Sequence, residues 1–128
     1  MTTDSRTFDY HWLRAFVGVI AIAIPIVVWV RVGCRLDSIS AYYHTNARDY
    51  FVGLLFIVGS FLFAYNGTSA VQAVLSKFGG LAAWAVAMFP TRCQPGDSSC
   101  INCIAEAFPI LHYVGAVGLF GVLIYFCL

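Results

Sequence analysis

Charge is what this chain has least of. Asp, Glu, Lys and Arg make up 10% of its 128 residues, and 61% are hydrophobic; a soluble domain carries roughly 25% charged residues. A soluble fold of this size has no means of hiding so much apolar surface, so the implied solvent is lipid. No run of five or more basic residues occurs and the formal net charge is +1, which excludes an electrostatic footprint for nucleic acid. Residues 1–14 are polar and of mixed charge. They lack the basic start and small-residue cleavage site of a signal peptide, so the first apolar run is expected to be retained. No repeat of fixed period and no low-complexity tract is present. Cys100-x-x-Cys103 is not followed by His, which excludes covalent attachment of a c-type haem.

What is there is a series of apolar runs. The expectation is an all-α membrane protein, one integral domain over residues 1–128, with four transmembrane helices in an up-down bundle. The spans are placed at about 12–30, 47–65, 69–90 and 108–128. The first has no polar side chain between Arg14 and Arg31, and Trp12 and Trp29 suit interfacial anchors. Pro25 removes a backbone donor inside it. The second is expected to begin at a capping box, Asn46 with Asp49 three residues on, and Gly53, Gly59 and Ser60 offer points of close approach. Asn66-Gly67-Thr68 signals a turn and matches a glycosylation acceptor, although it sits too near the membrane to favour that use. The third span is the least regular. Gln72, Ser76 and Lys77 break its first half, and Lys77 is expected to snorkel to the nearer surface rather than pair inside the bundle. The fourth carries Gly115, Gly118 and Gly121, expected to form a smooth face for a membrane partner or a second copy. The chain stops at Leu128 with no polar tail, which raises the expectation of a burial partner or a longer parent chain.

Four spans put the N-terminus and the 66–68 turn on one side, and loops 31–47 and 91–107 on the other. Basic residues do not decide the orientation: Arg6, Arg14 and Lys77 mark the first side; Arg31, Arg35, Arg48 and Arg92 mark the second. Cys34, Cys93, Cys100 and Cys103 share the loop side, while Cys127 ends the last helix. Four cysteines on one face can form two disulfides, which would place that face outside the cytoplasm. A four-thiolate zinc site and free thiols are the alternatives.

The loop side also gathers the chemistry. Asp37, Ser38, Ser40, Tyr43, His44, Arg48 and Asp49 lie between the first two spans, and His112 opens the fourth at the same level. Ionisable groups at such depths are a functional-site hypothesis by default. Several readings are open. In one, these residues form a structural polar cap, with Arg48 paired to Asp37 or Asp49. In another, Arg48 holds a phosphate or carboxylate of a lipid headgroup or small anionic ligand. A third is a metal-dependent hydrolase of lipid amides or esters, with His44, His112 and Asp49 on zinc. His11 opens the first span on the opposite face, about 30 Å away, and cannot complete a three-histidine set. A bis-histidine haem would also use His44 and His112. An accessory subunit of a larger membrane complex is the remaining class. No cofactor is expected, and an enzyme is the less favoured class.

Ser38-Ile-Ser-Ala-Tyr-Tyr-His-Thr, Arg48-Asp-Tyr-Phe-Val-Gly53, Phe61-Leu-Phe-Ala-Tyr-Asn-Gly67, Met88-Phe-Pro-Thr91 and His112-Tyr together resemble a group of uncharacterised bacterial multi-pass membrane proteins. The resemblance covers most of the chain from residue 36 onward. It implies a bacterial inner (plasma) membrane protein, and parent chains with further spans. The polar Ile-Ser segment after the first span is similar in layout to the Frag1/DRAM/Sfk1 class. The alkaline ceramidase superfamily is a further analogy whose metal-ligand pattern is not matched here. None of these resemblances assigns a catalytic residue, and the Cys-rich 93–103 stretch departs from them.

Overall fold

The computed structural model describes residues 10–36, 38–93 and 109–128. Among these the regular elements are all helices. Helix α1 is Tyr10–Val32, α2 is Arg48–Ala64, α3 is Ala70–Met88 and α4 is Pro109–Cys127, and a short 3-10 helix, Ile39–His44, precedes α2. Three of the helices are long and apolar enough to cross a membrane: α1 over Arg14–Val32, α3 and α4. Helix α2 is 17 residues long. The outward faces are apolar as well as the inward ones. Val117 is 74% exposed, Ile110 76% and Val19 66%, an arrangement that water penalises and hydrocarbon does not.

Helix α2 packs on α3 and α3 on α4, and α1 packs on α2 less extensively. The closest approaches run through glycine. Gly59 of α2 leaves a slot that the Trp84 indole of α3 occupies. Phe56 and Phe63 stack on that indole with centroids 6.1 and 5.3 Å away. Gly80 lies against the Gly59 carbonyl, while Gly79 faces Val122 of α4. The adjacent glycines of α3 therefore serve both of its neighbours. Without a hydrophobic drive between helices in lipid, such close van der Waals contact is the main source of cohesion.

Local chemistry sets the ends. Helix α1 stops at Gly33, whose φ of +73° is a conformation glycine adopts without strain; its N–H donates to the Trp29 carbonyl at 2.8 Å. The Asn66-Gly67 turn forms as expected, with Gly67 at φ +63°. Ser69 caps α3 by accepting from the Gln72 N–H. The polar residues that interrupt the first half of α3 are all satisfied by this turn. Gln72 Oε1 accepts from the Thr68 N–H at 3.1 Å. Ser76, fully buried, donates to the Tyr65 carbonyl at 2.8 Å. Lys77 reaches Asn66 Oδ1 at 3.3 Å and the Phe63 carbonyl at 3.4 Å, a cation at the carbonyl end of α2 where the dipole favours it.

Three expectations are corrected. The Asn46–Asp49 capping box does not form: α2 starts one residue later, with Ala47 at the cap and no side-chain cap bond. Thr45 takes that role from further back, its Oγ1 accepting from the Ala47 N–H at 3.2 Å. Of Gly53, Gly59 and Ser60, only Gly59 marks a close approach. Gly53 has open space where a Cβ would stand, and Ser60 is exposed and donates to its own helix at Phe56. Finally, the glycines of α4 do not share a face. Residues three apart on an α-helix are offset by about 60°, so Gly115 and Gly121 diverge by about 120°. Gly115 is buried against Ala82 and Ala85 of α3, whereas Gly121 meets nothing within 4 Å.

A Cβ at Gly80 would stand 2.7 Å from the Gly59 carbonyl oxygen, which is backbone and cannot swing aside. Gly80→Val is therefore expected to cost about 1–3 kcal/mol by overpacking, read as a lower unfolding midpoint in detergent, while Gly53→Val leaves that midpoint unchanged.

Candidate functional site

The chain leaving α3 gives up helical hydrogen bonding among buried residues, Pro90 and Thr91. The carbonyls of Phe89, which caps α3, and of Thr91, just beyond it, each lie within hydrogen-bonding distance of a histidine. His112, one turn into α4 and 1% exposed, lies with Nδ1 2.7 Å from the Phe89 carbonyl. His44, at the end of the 3-10 helix and also buried, lies with Nε2 2.7 Å from the Thr91 carbonyl. Carbonyl oxygens only accept, so the proton sits on Nδ1 of His112 and on Nε2 of His44. The second nitrogen of His112, Nε2, is 3.0 Å from Ser40 Oγ. One imidazole thus joins the end of α3, the start of α4 and the 3-10 helix.

The 3-10 helix is held in place by its own polar residues. Ser38 caps it, its hydroxyl accepting from the Ala41 N–H at 3.2 Å. The Tyr42 hydroxyl donates to the Cys34 carbonyl at 2.9 Å, which ties the segment back to the end of α1. Thr45 Oγ1 donates to the Tyr42 carbonyl at 2.6 Å. Tyr43, buried, meets the edges of the His44 and Phe51 rings.

Arg48 is seated on Tyr43. Its Nη2 donates to the Tyr43 hydroxyl at 3.0 Å, and its guanidinium carbon sits 4.6 Å from the Tyr43 ring centroid. Arg48 and Asp49 are both exposed and do not pair with each other. Asp49 occupies the first turn of α2, where the helix dipole favours a negative charge. On the end of α1, Arg31 lies 5.8 Å from the Tyr50 ring centroid. Two of the arginines on this side, Arg31 and Arg48, are thus each seated on a tyrosine.

The predicted cluster is therefore divided. Ser40, His44 and His112 converge on the 89–91 segment, Tyr43 and Arg48 form a second pair, Ser38 acts as a cap, and Asp49 stands apart. Asp37, Cys100 and Cys103 lie outside the described residues. The carbonyls of Phe89 and Thr91, which organise the cluster, were not among the expected site residues. Met88-Phe-Pro-Thr91 was noted only as a stretch of sequence, and a backbone acceptor leaves no mark in side-chain chemistry. The histidines do not fit a shared zinc or haem. Both nitrogens of His112 and Nε2 of His44 are engaged by protein atoms, and among the described residues no three His, Cys, Asp or Glu side chains converge.

A second concavity of about 290 Å3 lies near the C-terminal ends of α2 and α4, lined by Arg14, Gly18, Leu62, Leu123 and Phe126 among others. It shares no residue with the polar cluster, which sits at the N-terminal ends of those helices. Comparison with protein-family models, curated proteins and solved structures finds no match to this chain.

His44→Ala would leave the Thr91 carbonyl orphaned in a buried setting. The expected cost is about 1–3 kcal/mol, measured by thermal unfolding in detergent; an unchanged midpoint would mean that another group already satisfies this carbonyl.

Proposed function

We propose that the chain is a four-span, up-and-down integral membrane protein, of the bacterial plasma membrane, that binds an anionic lipid headgroup or a small anionic ligand at the face carrying Arg48. The observation that carries the reading is the state of Arg48. It is exposed, its one hydrogen-bonding partner among the described residues is the Tyr43 hydroxyl, and among those residues no carboxylate pairs with it. A guanidinium has five N–H donors, so most of those on Arg48 remain for a phosphate or carboxylate, which it can grip with two bonds. The Tyr43 ring beneath it fixes its position at little entropic cost. Arg31 over Tyr50 supplies a second positive charge at the same face. The 17 residues of α2 suffice for a short span, which supports the four-span count.

The cysteines support placing this face outside the cytoplasm. Disulfides at Cys34 and Cys93 would agree with that placement, and Cys127, at the far end of α4, is a free thiol. The kinship with uncharacterised bacterial multi-pass proteins belongs to the same proposal. So does its alternative, a subunit of a larger membrane complex, for which Gly118 and Gly121 remain exposed on α4.

Native mass spectrometry from nanodiscs of mixed zwitterionic and anionic phospholipid tests the headgroup site. The wild type should retain anionic lipid preferentially, and Arg48→Ala should reduce that preference about fivefold, equivalent to ~1 kcal/mol. Equal retention by both proteins would contradict the site, and a co-purifying second protein would favour the subunit reading. Thiol labelling of the unfolded, unreduced protein is expected to modify Cys127 alone. Reductant should then expose the other four of the five cysteines.

A further inference from the structure

The contact between Ser40 and His112 has a polarity that a structural tie does not need. The Phe89 carbonyl accepts from Nδ1, so with the ring neutral Nε2 presents a lone pair. Ser40 Oγ, 3.0 Å away, is then the donor. A hydroxyl proton is already directed at a basic nitrogen, and the opposite nitrogen is anchored by a fixed acceptor that sets tautomer and ring orientation. These are the relations by which an imidazole activates a serine, with a backbone carbonyl standing where a carboxylate often stands. Burial fits the same division of roles. His112 is 1% exposed and shielded from competing water. Ser40 is half-buried in the first turn of the 3-10 helix, beside Ile39, which is 47% exposed. An amphiphile lying at this face can therefore reach the hydroxyl.

The geometry points to Ser40 as the nucleophile of an acyl-transfer site, with His112 as its general base and a carboxylic ester of a membrane amphiphile as the substrate class. Ser40 Oγ bonds to the ester carbonyl carbon as its proton passes to His112 Nε2. The carbon–oxygen bond to the alcohol then breaks, and the departing alcohol takes that proton. Water attacks the acylated Ser40, giving one proton to Nε2. The ester bond to Oγ breaks, the carboxylic acid leaves, and the proton returns to Ser40. The Phe89 carbonyl is a positioning group throughout. This site stands apart from the anion site at Arg48, and neither depends on the other.

The test is covalent labelling of the full chain in phosphatidylcholine nanodiscs with a fluorophosphonate probe, read by intact mass and peptide mapping. One adduct is expected, on Ser40, and it is absent in Ser40→Ala. His112→Gln separates catalysis from structure: the amide can still donate to the Phe89 carbonyl and accept from Ser40, but it is not a base. That variant should keep the wild-type unfolding midpoint and label about a hundredfold more slowly or worse. The inference is overturned if the folded wild type gains no adduct on Ser40, if the adduct lies elsewhere, or if folded His112→Gln labels at the wild-type rate.

Discussion

The Phe89 carbonyl and the His112 ring that meets it are the contact on which this end of the molecule depends. A helix that ends inside a membrane face leaves acceptors that lipid cannot satisfy. Here the chain turns out of α3 at Phe89-Pro90, where proline forbids continuation of the helix. Imidazoles brought in from two other elements answer the exposed carbonyls. Because His112 belongs to the first turns of α4 and His44 to the 3-10 helix, the bonds to Phe89 and Thr91 tie both elements to the segment that leaves α3. The position of Ser40, and the seating of Tyr43 under Arg48, follow from where the 3-10 helix is pinned.

The remainder of the bundle is held by fit. In hydrocarbon, burial of apolar surface gives little drive between helices, and the outward faces of this chain are as apolar as its core. Cohesion rests on surfaces that approach closely: the Trp84 indole in the Gly59 slot, and the Gly79-Gly80 pair between α2 and α4. Several of the buried polar side chains meet backbone carbonyls. Ser76 at the Tyr65 carbonyl does at one end of α3 what the histidines do at the other. Helix α1 packs on α2 less extensively than α2 and α4 pack on α3.

The helices were legible in the sequence because span length and the scarcity of charge are strong signals, and the Asn66-Gly67 turn because glycine chemistry is local. The position of His112 at the level of His44 was legible too, from chain order alone. The partners were not. Histidine offers donors and acceptors to many groups, and a carbonyl target exists at every residue, so Phe89 and Thr91 could not be singled out. A carboxylate partner for Arg48 was one of the readings open in the sequence; Tyr43, five residues earlier on the 3-10 helix, offers both a hydroxyl and a ring face. The α4 glycines misled because a spacing of three reads as a row in a line of text and winds away around a helix. Gly79-Gly80, which does hold helices together, carried its signal in plain view but lay in the stretch judged least regular.

The histidine tautomers test the account most directly. Solid-state NMR of the chain in lipid, with histidine labelled in its ring nitrogens, distinguishes a protonated Nδ1 from a protonated Nε2. The expected result is a protonated Nδ1 in His112 facing the Phe89 carbonyl and a protonated Nε2 in His44 facing the Thr91 carbonyl. A His112 carrying its proton on Nε2 would contradict it, because that ring would neither satisfy the Phe89 carbonyl nor accept from Ser40.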